Sequence, residues 1–242
     1  PKADGSYTVD KLYNMGRGTW EMAIFAKDGR TAFFGDDGAY SGMFMFVGVK
    51  ANDPKAGGTI YAAKWNQTAA DGSDGGTANI VWVKLGSATH TEAKALIDSG
   101  ITLVDIFETS LTEQTGDGWK PTRAGSSQTV WIKLKPGKEQ AAAVLETRRY
   151  AAYLGATTEF TKGEGVAINQ LAEGLGIPQP DLHLVELNDA RGEKCRELLP
   201  EARILAPLRS AAAEADALRR DETAATRVGF FTMGRGEDWC RP

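Results

Sequence analysis

Gly16-Arg17-Gly18-Thr19-Trp20-Glu21-Met22-Ala23-Ile24-Phe25-Ala26-Lys27 runs into Asp28-Gly29 and continues as Arg30-Thr31-Ala32-Phe33-Phe34-Gly35-Asp36-Asp37. Two apolar, β-prone runs joined by Asp-Gly predict a hairpin, because a two-residue type I′ turn needs positive φ at both central positions. With Asp28 and Gly29 as the turn, residue 27 faces 30, 24 faces 33 and 21 faces 36. Glu21 and Asp36 then stand with Cβ atoms roughly 4.5–5.5 Å apart. Like charges so placed destabilise a sheet unless a proton or a cation lies between them. An oxygen-ligated divalent ion such as calcium suits such a place. Asp37 follows at the strand end, where the chain can turn a second carboxylate inward. The hairpin therefore predicts a metal site of Glu21, Asp36 and Asp37. The plainer alternative is a solvated acidic patch beside a turn.

Working outward, residues 19–26, 31–34, 43–49, 59–65, 79–85 and 129–135 read as strands. They are short, rich in Val, Ile, Phe, Trp and Tyr, and bounded by Gly, Asp and Pro. Such spacing predicts a mainly β fold: a sandwich, a barrel or a propeller. Two helical stretches interrupt the series. Residues 91–99 form a short one with Thr91 as N-cap, and residues 138–154 a longer one. Arg148-Arg149 on the longer helix reads as a packing or salt-bridge pair, with one of the two within reach of a phosphate. The loop 71–75, Asp-Gly-Ser-Asp-Gly, has a faint calcium-loop look but lacks the later ligands of an EF-hand, so a solvated turn is the better reading.

Beyond about residue 170 the composition changes. Up to that point there are 13 Lys and 5 Arg; after it there are 1 Lys and 9 Arg, and only 3 of the aromatics. Ala-, Arg- and Glu-rich sequence over 189–227, broken by Pro200 and Pro207, predicts an α-helical segment. The chain thus divides into residues 1–169 and a helical tail, 170–242. The sequence leaves open whether Cys195 and Cys240 pair.

A net charge of −4 argues against nucleic acid or an anionic membrane as the main partner. No run approaches the roughly 20 apolar residues of a membrane span. No signal peptide stands at Pro1, and the missing initial Met predicts a processed or truncated product.

Several blocks, in order, resemble the PhoX-like alkaline phosphatases and their relatives of unassigned function. They are Gly16-Arg17 with Trp20-Glu21, Ala26-Lys27-Asp28-Gly29-Arg30, Gly35-Asp36-Asp37, Phe44-Met45-Phe46-Val47, Gly58-Thr59-Ile60-Tyr61-Ala62-Ala63-Lys64-Trp65 and Val81-Trp82-Val83-Lys84-Leu85-Gly86. The last runs from Glu146-Thr147-Arg148-Arg149-Tyr150 through Gly155-Ala156-Thr157-Thr158-Glu159-Phe160 to Glu164-Gly165. The match covers residues 15–169. The resemblance implies a β-propeller with helical insertions, a calcium and iron site at the axial end, export to the periplasm or beyond, and hydrolysis of small phosphate esters. It implies Glu21 as a metal-bridging and catalytic residue, with Asp36, Asp37 and Glu164 as further metal ligands. Lys162 stands where the family carries an arginine, and with Arg17 is the candidate to steady the phosphate. The family's iron-ligating cysteine has no counterpart before Glu21. That departure, with the unfamiliar tail, supports an alternative function: a non-catalytic calcium-binding envelope or assembly protein whose tail docks a protein partner.

Overall fold

The structure is a computed structural model that describes residues 5–7, 9–68, 70, 76–163, 165–168, 182–185 and 225–231. Its strands are β1 (Trp20–Phe25), β2 (Thr31–Asp36), β3 (Ala39–Ser41), β4 (Met43–Gly48), β5 (Gly58–Gln67), β6 (Gly76–Ala88), β7 (Phe107–Ser110), β8 (Trp119–Thr122), β9 (Val130–Leu134), β10 (Phe160–Thr161), β11 (Gly165–Ile168), β12 (Leu182–Val185) and β13 (Ala225–Phe231). Its helices are α1 (His90–Asp98), α2 (Leu103–Ile106), α3 (Glu139–Leu145) and α4 (Thr147–Leu154). The fold is mainly β, as the sequence predicts.

Eight strands form one sheet in the order β1-β2-β4-β5-β6-β13-β12-β11, antiparallel except for the parallel pair β12–β13. Two small sheets accompany it, β10–β3 and β7–β9–β8. β2 and β4 read as continuous apolar runs because both of their faces are buried. Phe34, Phe44, Phe46, Ile60 and Leu85 face one way, onto α3, α4 and the β7–β9 sheet through Ala142, Tyr150, Phe107 and Ile132. Phe33, Met45, Tyr61, Trp82 and Val166 face the other. All five come from one sheet, so this second core fills the hollow of a sheet that curls on itself. The edge strand β11 accordingly lies near β1 and β2, unpaired with either, and among the described residues no barrel closes. Burying a side chain the size of Phe33 or Phe46 contributes roughly 1.5–3 kcal/mol.

Two local expectations are corrected. The helix predicted over 138–154 is two helices, broken at Glu146, whose φ −126° and ψ 39° are not helical. The short helix is capped by Thr89 rather than Thr91: its hydroxyl accepts from the Glu92 amide, and the Glu92 carboxylate accepts from the Thr89 amide. Of the tail expected to be helical, the described residues are the strands β12 and β13; the remainder, with Cys195 and Cys240, lies outside the described residues. So do Glu164 and the loop 71–75. Among the described residues no helix is long and apolar enough to cross a membrane.

A candidate site at one end of the large sheet

The hairpin forms, but with a longer turn. Asp28 Oδ1 accepts from the amides of Arg30 and Thr31, and its Oδ2 from the Thr31 hydroxyl, while Ala26 N–H donates to the Thr31 carbonyl at 2.8 Å. Only Gly29 of the central pair has positive φ (62°), so this is a four-residue loop tied by an Asx turn, not a type I′ turn. The longer loop is centred on the same point, so Ile24 faces Phe33 as predicted.

A bulge between Trp20 and Ala23 then shifts the register, and Asp36 faces Trp20. The predicted Glu21–Asp36 pairing is therefore corrected. Glu21 is exposed on β1, and Asp36 is fully buried. The bulge follows from Trp20: its ring packs edge-on against Phe34 and Phe44, 4.9 and 5.0 Å away, and its Nε1 donates to the Gly16 carbonyl. Anchoring the indole in the core takes the facing position that a regular ladder reserves for Glu21.

Asp36 is neutralised by a side chain. The Arg148 guanidinium grips it in a two-pronged ion pair, Nε to Oδ2 at 2.5 Å and Nη2 to Oδ1. The Thr19 amide donates to Oδ1 at 2.9 Å, and Arg148 also reaches the Thr19 hydroxyl. Asp37 lies beside the pair. Its Oδ1 accepts from the Gly38 amide and stands 3.1 Å from the Lys162 ammonium. Lys162 is delivered by the β10–β3 pairing, by the hydrogen bond its backbone N–H donates to the Gly38 carbonyl, and by a left-handed backbone at φ 59°.

The break at Glu146 completes the arrangement. It opens α4 with Thr147, whose hydroxyl donates to the Ala143 carbonyl and accepts from the Arg17 amide. Arg149 pairs with Glu146. Arg17, Thr19, Glu146, Arg148 and Arg149 line a pocket of about 260 Å³. Its three guanidiniums meet two carboxylates, Asp36 and Glu146, and the Arg17 side chain makes no ion pair with a described residue.

Sequence reasoning therefore placed Asp36, Asp37 and Lys162 in one neighbourhood, placed Glu21 wrongly, and missed Thr19, Glu146 and Thr147. The salt-bridge reading of Arg148 and Arg149 holds for both. No short-range signal marks Thr19, whose amide donates to Asp36 and whose hydroxyl accepts from Arg148, both partners distant in sequence.

As arranged, these side chains do not fit a calcium shell. Both oxygens of Asp36 are taken by nitrogen donors, and Glu21 is exposed. Among the described residues no three acidic, histidine or cysteine side chains stand close enough to share an ion. No protein-family model, curated protein or solved structure matches the chain.

Proposed function

We propose that this chain is a relative of the PhoX-like phosphatases that binds a phosphate ester, with phosphomonoester hydrolysis as its reaction class. The observation that carries the reading is convergence. Motifs that make the resemblance, Gly16-Arg17, Gly35-Asp36-Asp37 and Glu146-Thr147-Arg148-Arg149, are joined by hydrogen bonds across 112 and 130 residues of chain at one end of the large sheet, with Lys162 beside Asp37. Short motifs that gather charged groups around one pocket are the pattern of a site rather than of packing alone.

The finer architecture that accompanies this reading is a β-propeller in an extracytoplasmic protein. What supports it is the antiparallel meander β1-β2-β4-β5 within the eight-stranded sheet, since a propeller blade is a four-stranded antiparallel unit.

The contribution of the chain's own residues is recognition. Arg17 and Arg149 flank the pocket with forked donors that match phosphoryl oxygens in pairs. The Arg148–Asp36 pair forms a fixed wall, and Lys162 pairs with the neighbouring Asp37. Calcium and iron would supply charge neutralisation and an activated oxygen nucleophile in this family. Because the described carboxylates do not make a shell for them, no step is assigned to a metal.

The test is turnover of p-nitrophenyl phosphate by purified protein, with and without added calcium and ferrous iron, alongside calorimetric binding of methyl phosphate. Binding plus turnover, both reduced in Arg149→Ala, supports the proposal. A second reading, a non-catalytic envelope or assembly protein with residues 170–242 as its docking segment, is favoured by the engaged state of Asp36 and the exposure of Glu21. Binding without turnover selects it. Absence of both overturns the phosphate reading.

A further inference from the structure

A second, larger cavity of about 930 Å³ adjoins the arginine pocket, and the two share Arg17, Gly18, Leu145 and Glu146 as lining. Its walls are mostly apolar: Leu12, Met15 and Trp20 on one side, Ile97, Ile101 and Leu103 on the other. Its volume is that of a site for an extended organic ligand, far more than a phosphate ion occupies. Ile97, on α1, is a large apolar side chain left 41% exposed at this cavity.

The charged groups divide unevenly between the two ends. At the end away from the arginines, Asp10 pairs with Lys55, and Lys11 sits over the Tyr13 ring. At the shared end, Arg17 makes no ion pair with a described residue.

Resting on the phosphate reading above, we infer that the ligand is an amphiphilic phosphate monoester. Its phosphate lies among Arg17, Arg148 and Arg149, and its alkyl or aryl tail runs past Gly18 into the apolar cavity. Gly18 stands between the two spaces, where a Cβ would come within 2.4 Å of the Trp20 ring. The Trp20 indole, already anchored in the core, is thereby a wall that the tail lies against.

Burying a methylene improves affinity by about three- to fourfold. The experiment is isothermal titration of the full chain with methyl phosphate, octyl phosphate (below its micellar concentration) and octanol. Octyl phosphate is expected to bind at least about 100-fold more tightly than methyl phosphate, and octanol far more weakly than octyl phosphate. Ile97→Asp, at an exposed helical position, lowers the octyl-to-methyl ratio by at least about tenfold, through loss of tail burial against Ile97. Equal binding of methyl and octyl phosphate overturns this inference and leaves the phosphate reading standing. Octanol binding as tightly as octyl phosphate overturns it by removing the role of the head group. An unchanged ratio in Ile97→Asp overturns the assignment of the tail to this cavity. If neither phosphate binds, both readings fall together.

Discussion

Asp36 and Arg148, 112 residues apart, form a two-pronged ion pair in which the aspartate side chain has no solvent exposure and the arginine side chain retains 20%. This pair ties the end of β2 to the first turn of α4. Removing one partner of a buried pair costs far more than the pair contributes, because the remaining charge is stranded. Arg148→Ala is expected to destabilise the protein by about 3–5 kcal/mol, read from the urea midpoint. Asp36→Asn with Arg148→Met is expected to recover most of that loss. A loss under about 1 kcal/mol in the single variant would mean that water reaches Asp36 and the pair is not holding the site.

Gly35 owes its identity to a chain crossing. A Cβ at this position would stand 1.9 Å from the Gly163 carbonyl oxygen, and backbone cannot swing aside as a flexible side chain can. Gly35→Ala is expected to cost about 3 kcal/mol, the upper end for overpacking. It also separates Lys162 from Asp37, since the segment carrying Lys162 would have to lift. Thermal denaturation gives the first number. The second shows as loss of any effect of Lys162→Ala on phosphate binding in the Gly35→Ala background.

These two relationships mark where the sequence was legible and where it was not. The hairpin, its centre and the Ile24–Phe33 register follow from local signals: Asp28-Gly29 between two apolar, β-prone runs. Six of the strands follow from runs of β-branched and aromatic side chains between breakers. The register beyond Ala23 does not follow, because it is set by where Phe34 and Phe44 accept the Trp20 ring, a tertiary demand. Asp36 reads as a metal ligand because like charges in sequence call for a cation. That the cation stands on a helix more than 100 residues away cannot be seen in a window of any local length. The break at Glu146 was equally hidden, since the 138–154 stretch contains no Gly or Pro. What interrupts it is the docking of Gly16-Arg17 against Thr147.

Thr147 offers a narrow test of that docking. Its hydroxyl is buried, donating to Ala143 and accepting from the Arg17 amide at 2.9 Å. Thr147→Val keeps the shape and removes both bonds, so the Arg17 amide loses its acceptor. The expected cost is about 1–3 kcal/mol. The Arg17 amide is expected to exchange with solvent faster in the variant than in the native protein, read by hydrogen–deuterium exchange.

The capping box on α1 predicts an acid response. The Thr89 amide, and then its hydroxyl, hold the Glu92 carboxyl below its ordinary pKa. A carboxylate lowered in the folded state contributes stability that is present above its unfolded pKa and is lost as the pH falls through the folded value. Thr89→Ala is expected to lose the N-cap bond to the Glu92 amide, about 1 kcal/mol at any pH, and in addition the hydroxyl bond to the Glu92 carboxylate, a part present at neutral pH and lost in acid. The gap between the urea midpoints of the two proteins should narrow, without closing, as the pH is lowered. A pH-independent gap would assign the whole effect to the N-cap bond rather than to the carboxylate.

Calcium separates the two ways in which Asp36 can be neutralised. In the wild-type chain its oxygens are held by Arg148 and the Thr19 amide, so added calcium is expected to leave the melting temperature unchanged. Arg148→Ala strands a buried carboxylate with Asp37 beside it, and a small oxygen-seeking cation is the natural replacement for the missing guanidinium. Calcium is expected to raise the melting temperature of that variant, by the stabilisation that follows from binding the folded state alone, about 2.7 kcal/mol at a hundredfold excess over its dissociation constant. Magnesium, which keeps its water and demands octahedral geometry, should do so less. A rise of the same size in the wild-type chain would show that Asp36 exchanges Arg148 for the ion. The arginine would then be a placeholder released on metal binding, and the phosphate would meet it as a free guanidinium.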